Sequence, residues 1–403
     1  MTPPGTPERI LFGGSALSAF GTGLTLPYLL IYLVESIDLT LPAAGVVLAI
    51  PGGVSLVGVA LIGPAIDRVG PLRFAATSSL LSVIGCGALL SAGPSTVWLA
   101  ISGVVLLECG MSLAAPALQS AVGLMVGAER RARFFSAQSG WSNALFAVGT
   151  AASSVTVGLL GAGAIRMLFG ANLLTFFCVT AVLFLLAQSH GSRSHAADAV
   201  ARSYLTQLKS PVRDPRFARL VALTFCVSLI LMNQGEFGFP AFTAGTSLQP
   251  WVGAAFTAGS IAATLTQVCA ARWLSPRLHR SLVIAAGLCV AISWLSLSLA
   301  PYAGTGYVFV FAVLQSVGEA IIIAILPAFV LAAAAPSMVG TYMALNSLAF
   351  QGGRMLAPLV VSILSATGTV PIPLGIAACA LLVSALAARV LRSTEADLEE
   401  ASR

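Results

Sequence analysis

Apolar residues in this chain come in runs of about twenty with scarcely a charge inside them, and nothing else constrains the fold as strongly. A helix needs about 20 such residues to cross the hydrocarbon core of a bilayer. Runs of this kind lie near 10–34, 41–62, 74–92, 97–124, 134–160, 165–187, 217–241, 250–272, 281–299, 304–333, 338–364 and 369–391. Charged residues make up 8% of the chain and apolar ones 58%, whereas a soluble protein carries about 25% charge. No soluble fold hides so much apolar surface. The expected class is an all-α membrane protein with twelve transmembrane helices. Pro116 and Pro327 sit inside the long fourth and tenth runs and predict kinks there.

The charges that remain sort by side. With both termini cytoplasmic, the inner hairpins carry Arg68 and Arg73, then Arg130, Arg131 and Arg133, then Arg272, Arg277 and Arg280. The outer side has only Arg166, beside Glu35 and Asp38. Basic residues collect on the cytoplasmic face of membrane proteins, so the net charge of +6 reports orientation and not a nucleic-acid partner. The hairpin at 334–339 carries no charge. The seven cysteines all fall in apolar runs and read as small packing residues, with no metal site or disulfide framework expected. The run from Ile10 is too long for a cleaved signal peptide and reads as a retained span.

These runs divide the chain into a cytoplasmic tail at 1–9, six spans over 10–187, a polar central loop at 188–216, six spans over 217–391, and a tail at 392–403. The central loop holds Arg193, Arg202, Lys209, Arg213 and Arg216, and reads as a linker. The halves echo one another: Leu26-Pro27 matches Phe239-Pro240, and Gly110 to Phe134 has the spacing of Gly318 to Tyr342. Internal symmetry of this kind marks membrane transporters.

Between the second and third runs stands Gly63-Pro64-Ala65-Ile66-Asp67-Arg68-Val69-Gly70-Pro71-Leu72-Arg73. Its charges and turn residues predict a short basic hairpin, with the preceding span ending before Asp67. The pattern of Gly63, Asp67, Arg68, Gly70 and Arg73 resembles the signature loop of the major facilitator superfamily. Pro71 stands where many members have a basic residue. The resemblance extends over the span count, the central loop and the basic turn Glu129–Arg133. It implies two six-helix bundles related by a pseudo-two-fold axis, a central cavity lined by spans 1, 4, 7 and 10, and a monomer. It also implies that Asp67 and Arg68 form a cytoplasmic latch, Asp67 meeting a helix N-terminus where unpaired N–H groups favour an anion.

Four charges fall inside the runs: Glu108, Glu236, Glu319 and Arg354. Each costs about 2.5–3.5 kcal/mol at mid-bilayer on insertion scales and is a functional candidate. On the family pattern all three acids occupy cavity-lining spans. No histidine lies in any run, so a proton carrier must be a carboxylate. Glu319 and Arg354, on consecutive spans, offer the alternative of a buried ion pair. Glu236 is placed toward the outer mouth. Tyr28 and Tyr32 are candidates for cargo contact or for an interfacial belt, and Asn233 joins the candidate binding set. Phe237, Phe239 and Phe242 read as packing or lipid contacts.

The run at 21–28 with Tyr32 resembles the drug:proton antiporter branch of that superfamily. Leu106 stands where that branch carries an arginine, and Thr150 where it carries a proline. The expectation is a plasma-membrane secondary transporter exporting small amphipathic or cationic compounds against protons, with the proton gradient as energy source and no cofactor. The alternative is a nutrient symporter or facilitator. No nucleophile with a base and no metal cluster appears, so a membrane enzyme is not expected.

Overall fold

The computed structural model describes residues 6–125, 128–189, 215–273, 280–333, 339–368 and 371–401. Every regular element among them is helical. In hydrocarbon no water pairs with exposed backbone, so an isolated segment satisfies its N–H and C=O groups only as a helix. Among the described residues ten helices are long and apolar enough to cross a membrane, and a shorter apolar one spans Leu41–Val54. The chain is a multi-pass membrane protein.

In order the helices are α1 (Thr6–Thr25), α2 (Leu29–Glu35), α3 (Leu41–Val69), α4 (Pro71–Ser91), α5 (Val97–Met125), α6 (Ala128–Leu160), α7 (Ile165–Ser189), α8 (Pro215–Cys226), α9 (Gln234–Thr243), α10 (Val252–Trp273), α11 (Arg280–Ala303), α12 (Gly306–Ala333), α13 (Val339–Thr367) and α14 (Ile372–Ala401). A 3-10 turn at Leu26–Tyr28 joins α1 to α2, and a π-turn at Val227–Met232 follows α8. Both tails read as polar extensions turn out to continue helix: α1 starts at Thr6, and α14 runs to Ala401.

The hairpin expected at 63–73 is instead two helices that meet at one residue. α3 continues through Asp67 and Arg68 to Val69, and α4 starts at Pro71. A helix is free to run past the hydrocarbon once its side chains reach water, so charge does not end it. Gly70 does, at φ 90° and ψ 139°, a conformation open essentially to glycine alone. Its N–H bonds back to the Ile66 carbonyl at 2.9 Å and its carbonyl accepts from Phe74 N–H at 2.9 Å. Pro71 then supplies a fixed φ at the first helical position. Glu129–Arg133, expected as a basic turn, instead lies in the opening turns of α6; its side chains, those of Asp67 and Arg68, and loop residues 190–214 lie outside the described residues.

The chain forms two compact units. The first takes in residues 1–40, 50–201 and 252–257, the second residues 41–49, 202–251 and 258–403. Within the first, α4 lies against α5 at glycine contacts: a Cβ on Gly85 would stand 2.7 Å from the Gly103 carbonyl oxygen. Within the second, a Cβ on Gly318 of α12 would stand 2.8 Å from the Ala286 carbonyl of α11. Lipid tails are as apolar as leucine, so helices in a bilayer gain by close backbone approach at small residues.

Candidate functional site

The second unit contains a broken helix with polar groups gathered around the break. α8 ends at Cys226, the π-turn covers Val227–Met232, and Asn233 forms a bend at φ −106°, ψ −5° before α9 begins. Carbonyls freed by the break take side-chain amides as donors. Asn233 Nδ2 donates to the Ser228 carbonyl at 2.7 Å, and Gln234 Nε2 to the Leu229 carbonyl at 2.8 Å. Gln315 Nε2, on α12, donates to the Leu231 carbonyl at 2.8 Å. Discontinuous helices of this kind hold substrate and ion sites in many membrane carriers, where irregular backbone lines a cavity.

Two charge arrangements flank the break. Glu236 lies in the first turn of α9, where the positive end of the helix dipole favours an anion. Its Oε1 accepts from Arg354 Nη2 of α13 at 3.0 Å. Glu319, one turn along α12 from Gln315, accepts from Gln315 Nε2 at 2.7 Å. Ser293 Oγ donates to Gln315 Oε1 at 3.1 Å and fixes which way the amide points. Gly235, at the start of α9, leaves its Cβ position 3.4 Å from Glu319 Oε1. Gln234 Oε1 is buried and makes no hydrogen bond among the described residues.

The two acids are therefore held differently. A guanidinium partner stabilises the ionised form of a carboxyl group. An amide N–H bonds to a carboxylate oxygen and also, more weakly, to the carbonyl oxygen of a neutral acid. Glu319 can thus change protonation state without losing Gln315. The ion pair weighed for Glu319 and Arg354 forms instead between Glu236 and Arg354, because the break sets the first turn of α9 beside α13. The Glu236 side chain is part-buried, 18% exposed.

The remaining candidates sit elsewhere. Glu108 is half-buried on α5 in the first unit, two residues before Gly110, whose Cβ position meets the Ser78 carbonyl of α4 at 2.7 Å. Tyr28 and Tyr32 are both fully buried. Tyr28 Oη accepts from Gly253 N–H at 3.2 Å. Tyr32 donates its hydroxyl to the Leu89 carbonyl, and its ring meets Phe169 edge-on at 4.8 Å. Both rings are packed inside the first unit. Phe239 likewise packs, against Phe311 at 4.8 Å. Gly70 is buried and Arg73 exposed at the α3–α4 junction. Gln315 and Gln234 escaped the sequence reading because both are neutral. The signal for Gln315 was its place four residues before Glu319, on the same helix face.

Comparisons with known proteins follow this geometry. A family profile described as Major Facilitator Superfamily matches residues 11–301. A mutant form of the nucleoside transporter NupG superposes with a TM-score of 0.77 at 13% identity, covering 96% of this chain and 99% of its own. An auto-inhibited peptide transporter of the POT family gives 0.71 at 15% identity, over 96% and 97%. A peptide transporter POT in complex with sulfate gives 0.75 at 15% identity, over 96% and 94%. No curated protein matches the sequence.

Proposed function

The chain belongs to the major facilitator superfamily, a transporter and not an enzyme, and on that premise we propose that it is a proton-coupled exporter of small amphipathic or cationic organic compounds. In this reading twelve spans form two six-helix bundles related by a pseudo-two-fold axis. The protein sits in the plasma membrane as a monomer with both termini cytoplasmic, in keeping with the arginines of the inner hairpins. Asp67 and Arg68 act as a cytoplasmic latch.

The observation that carries the reading is the neutral partner of Glu319. An intramembrane carboxyl held by an amide is suited to load and release a proton while its position stays fixed. Arg354, balanced by Glu236, leaves acids as the dominant charge on the cargo route and so favours cationic cargo. Asn233 and Gln234 belong to the same polar cluster and are the residues through which cargo would sense the break.

The test uses purified protein in liposomes that enclose a pH-sensitive dye. A proton gradient is imposed and lipophilic cations are added. The expected result is proton movement opposite to cargo, abolished in Glu319→Gln. Undiminished proton flux in that variant would remove Glu319 from coupling. Proton movement in the same direction as cargo would favour the second reading, a symporter for a nutrient, for which the nucleoside and peptide transporters among the structural neighbours are the precedent.

A further inference from the structure

The first unit forms a half-open cavity of about 350 Å³ bounded by α1, α4, α5, α6 and α7. That volume falls in the range of small-molecule sites, roughly 300–1,000 Å³. No residue of its lining carries a charge. Much of the wall is apolar, with Phe146, Met111 and Phe176 among its larger side chains. Hydroxyl and amide groups interrupt that wall, and they divide into two sets.

The first set is satisfied by the protein. Ser15 Oγ donates to the Leu11 carbonyl at 3.1 Å and Thr22 Oγ1 to the Ser18 carbonyl at 2.9 Å. Ser82 Oγ reaches across to the Leu107 carbonyl of α5 at 3.1 Å. The second set comprises Ser18, Ser79, Ser142 and Asn143. These line the cavity and make no side-chain hydrogen bond among the described residues. Ser79 is 5% exposed. A helical serine can bond back to the preceding turn, as Ser15 does, or point away from it; these three take the second course and line one cavity. Ser18, Ser142 and Asn143 are half-buried and Ser79 buried, and their polar groups are left to whatever fills the cavity.

We propose that this cavity is a binding site in its own right, for an uncharged small molecule with an apolar ring body and one hydroxyl or amide head. The wall has no charge to receive an ion, and a charged ligand would lose its hydration for nothing in return. The head bonds with Ser79 and Asn143, and the rings lie against Phe146 and Met111. Every lining residue belongs to the first unit, and the site does not depend on the proton-coupling role given to Glu319.

The probe is 2-naphthalenemethanol, with 2-ethylnaphthalene as the isostere that lacks the hydroxyl. Binding to the purified full-length protein in nanodiscs is measured by fluorescence, each probe corrected for its partition into protein-free nanodiscs. The expected result is saturable binding of the alcohol, about tenfold tighter than the hydrocarbon. Ser79→Ala and Asn143→Leu should each weaken the alcohol and leave the hydrocarbon unchanged. Thr77→Val, on the exposed face of α4, should change neither. Gly14 lines the cavity, and its Cβ position has nothing within 4 Å. Gly14→Phe should therefore fill the space, abolish binding and raise the melting temperature. If Gly14→Phe melts lower, Ser79→Ala decides. Equal affinity for the two probes overturns the proposal, since the polar wall would then read nothing and the cavity would be taking hydrocarbon tails. Absence of saturable binding, or undiminished binding in Ser79→Ala and Asn143→Leu together, overturns it as well.

Discussion

Replacing Gln315 by leucine removes one side chain from two jobs. Its Nε2 supports the Leu231 carbonyl at 2.8 Å and Glu319 Oε1 at 2.7 Å. Ser293 loses a partner too, but its hydroxyl keeps the Val290 carbonyl at 2.7 Å. An orphaned buried carbonyl costs about 1–3 kcal/mol, and loss of a hydrogen bond to a charged group costs about 1.5–3 kcal/mol. The apolar replacement offsets part of this, leaving a net loss of about 2–5 kcal/mol. For a unit of this size that corresponds to a fall in melting temperature of roughly 5–15 °C. Scan rate must be held fixed, because unfolding of membrane proteins in detergent is often irreversible. The double variant Gln315→Leu/Glu319→Leu separates the two jobs. With both polar partners replaced by apolar groups, the carboxyl contribution disappears and about 1.5–3 kcal/mol should return relative to the sum of the single changes. A melting temperature for Gln315→Leu within about 1 °C of the parent would refute the argument that this amide supports the break. Strict additivity in the double variant would refute its bond to Glu319.

Glu236→Gln leaves Arg354 without its carboxylate. With Arg354 42% exposed and Glu236 18%, the loss falls between the surface and buried limits, about 1–3 kcal/mol; Glu236→Gln/Arg354→Gln should recover most of it in a thermal melt. Gly70→Ala forces a Cβ into φ 90°, ψ 139° and should cost about 1–3 kcal/mol, read as a lower melting temperature with no change in any cargo-binding constant. Tyr32→Phe deletes the hydroxyl bonded to the Leu89 carbonyl and should cost about 1–2 kcal/mol; a neutral result would mean that water takes its place.

The helical membrane class was legible because hydrocarbon permits few alternatives: a long apolar run in this chain has to be a helix. The intramembrane acids were legible for the related reason that charge is rare there. What could not be read was anything set by helix rotation. Arg354 had two acids to choose between, and only the facing of α9 and α13 selects Glu236. The break was hidden because Val227–Met232 is as apolar as any helix interior. Its cause lies in amides at 233, 234 and 315 that look like isolated polar residues until the chain brings them to the same carbonyls. The junction at 63–73 misled in the opposite direction. Charges and glycines suggested an irregular loop, while the helix had only to reach water to accommodate Asp67 and Arg68. Tyr28 and Tyr32, placed at a boundary by their position in the run, are interior because their hydroxyls find backbone partners there.

The way the break is capped also bears on its rate of rearrangement. In an unbroken helix, swinging one half against the other requires rupture of several ladder bonds at once, a cooperative and slow event. Here the π-turn keeps main-chain bonds of its own, and the side chains of Asn233, Gln234 and Gln315 add further bonds to its carbonyls. Each of these added bonds can be exchanged singly by a rotamer change, slower here than the picoseconds to nanoseconds of an exposed side chain because all three residues are buried. The polypeptide on either side remains intact meanwhile. α9 is therefore held both by the π-turn and by side-chain supports that can be replaced one at a time.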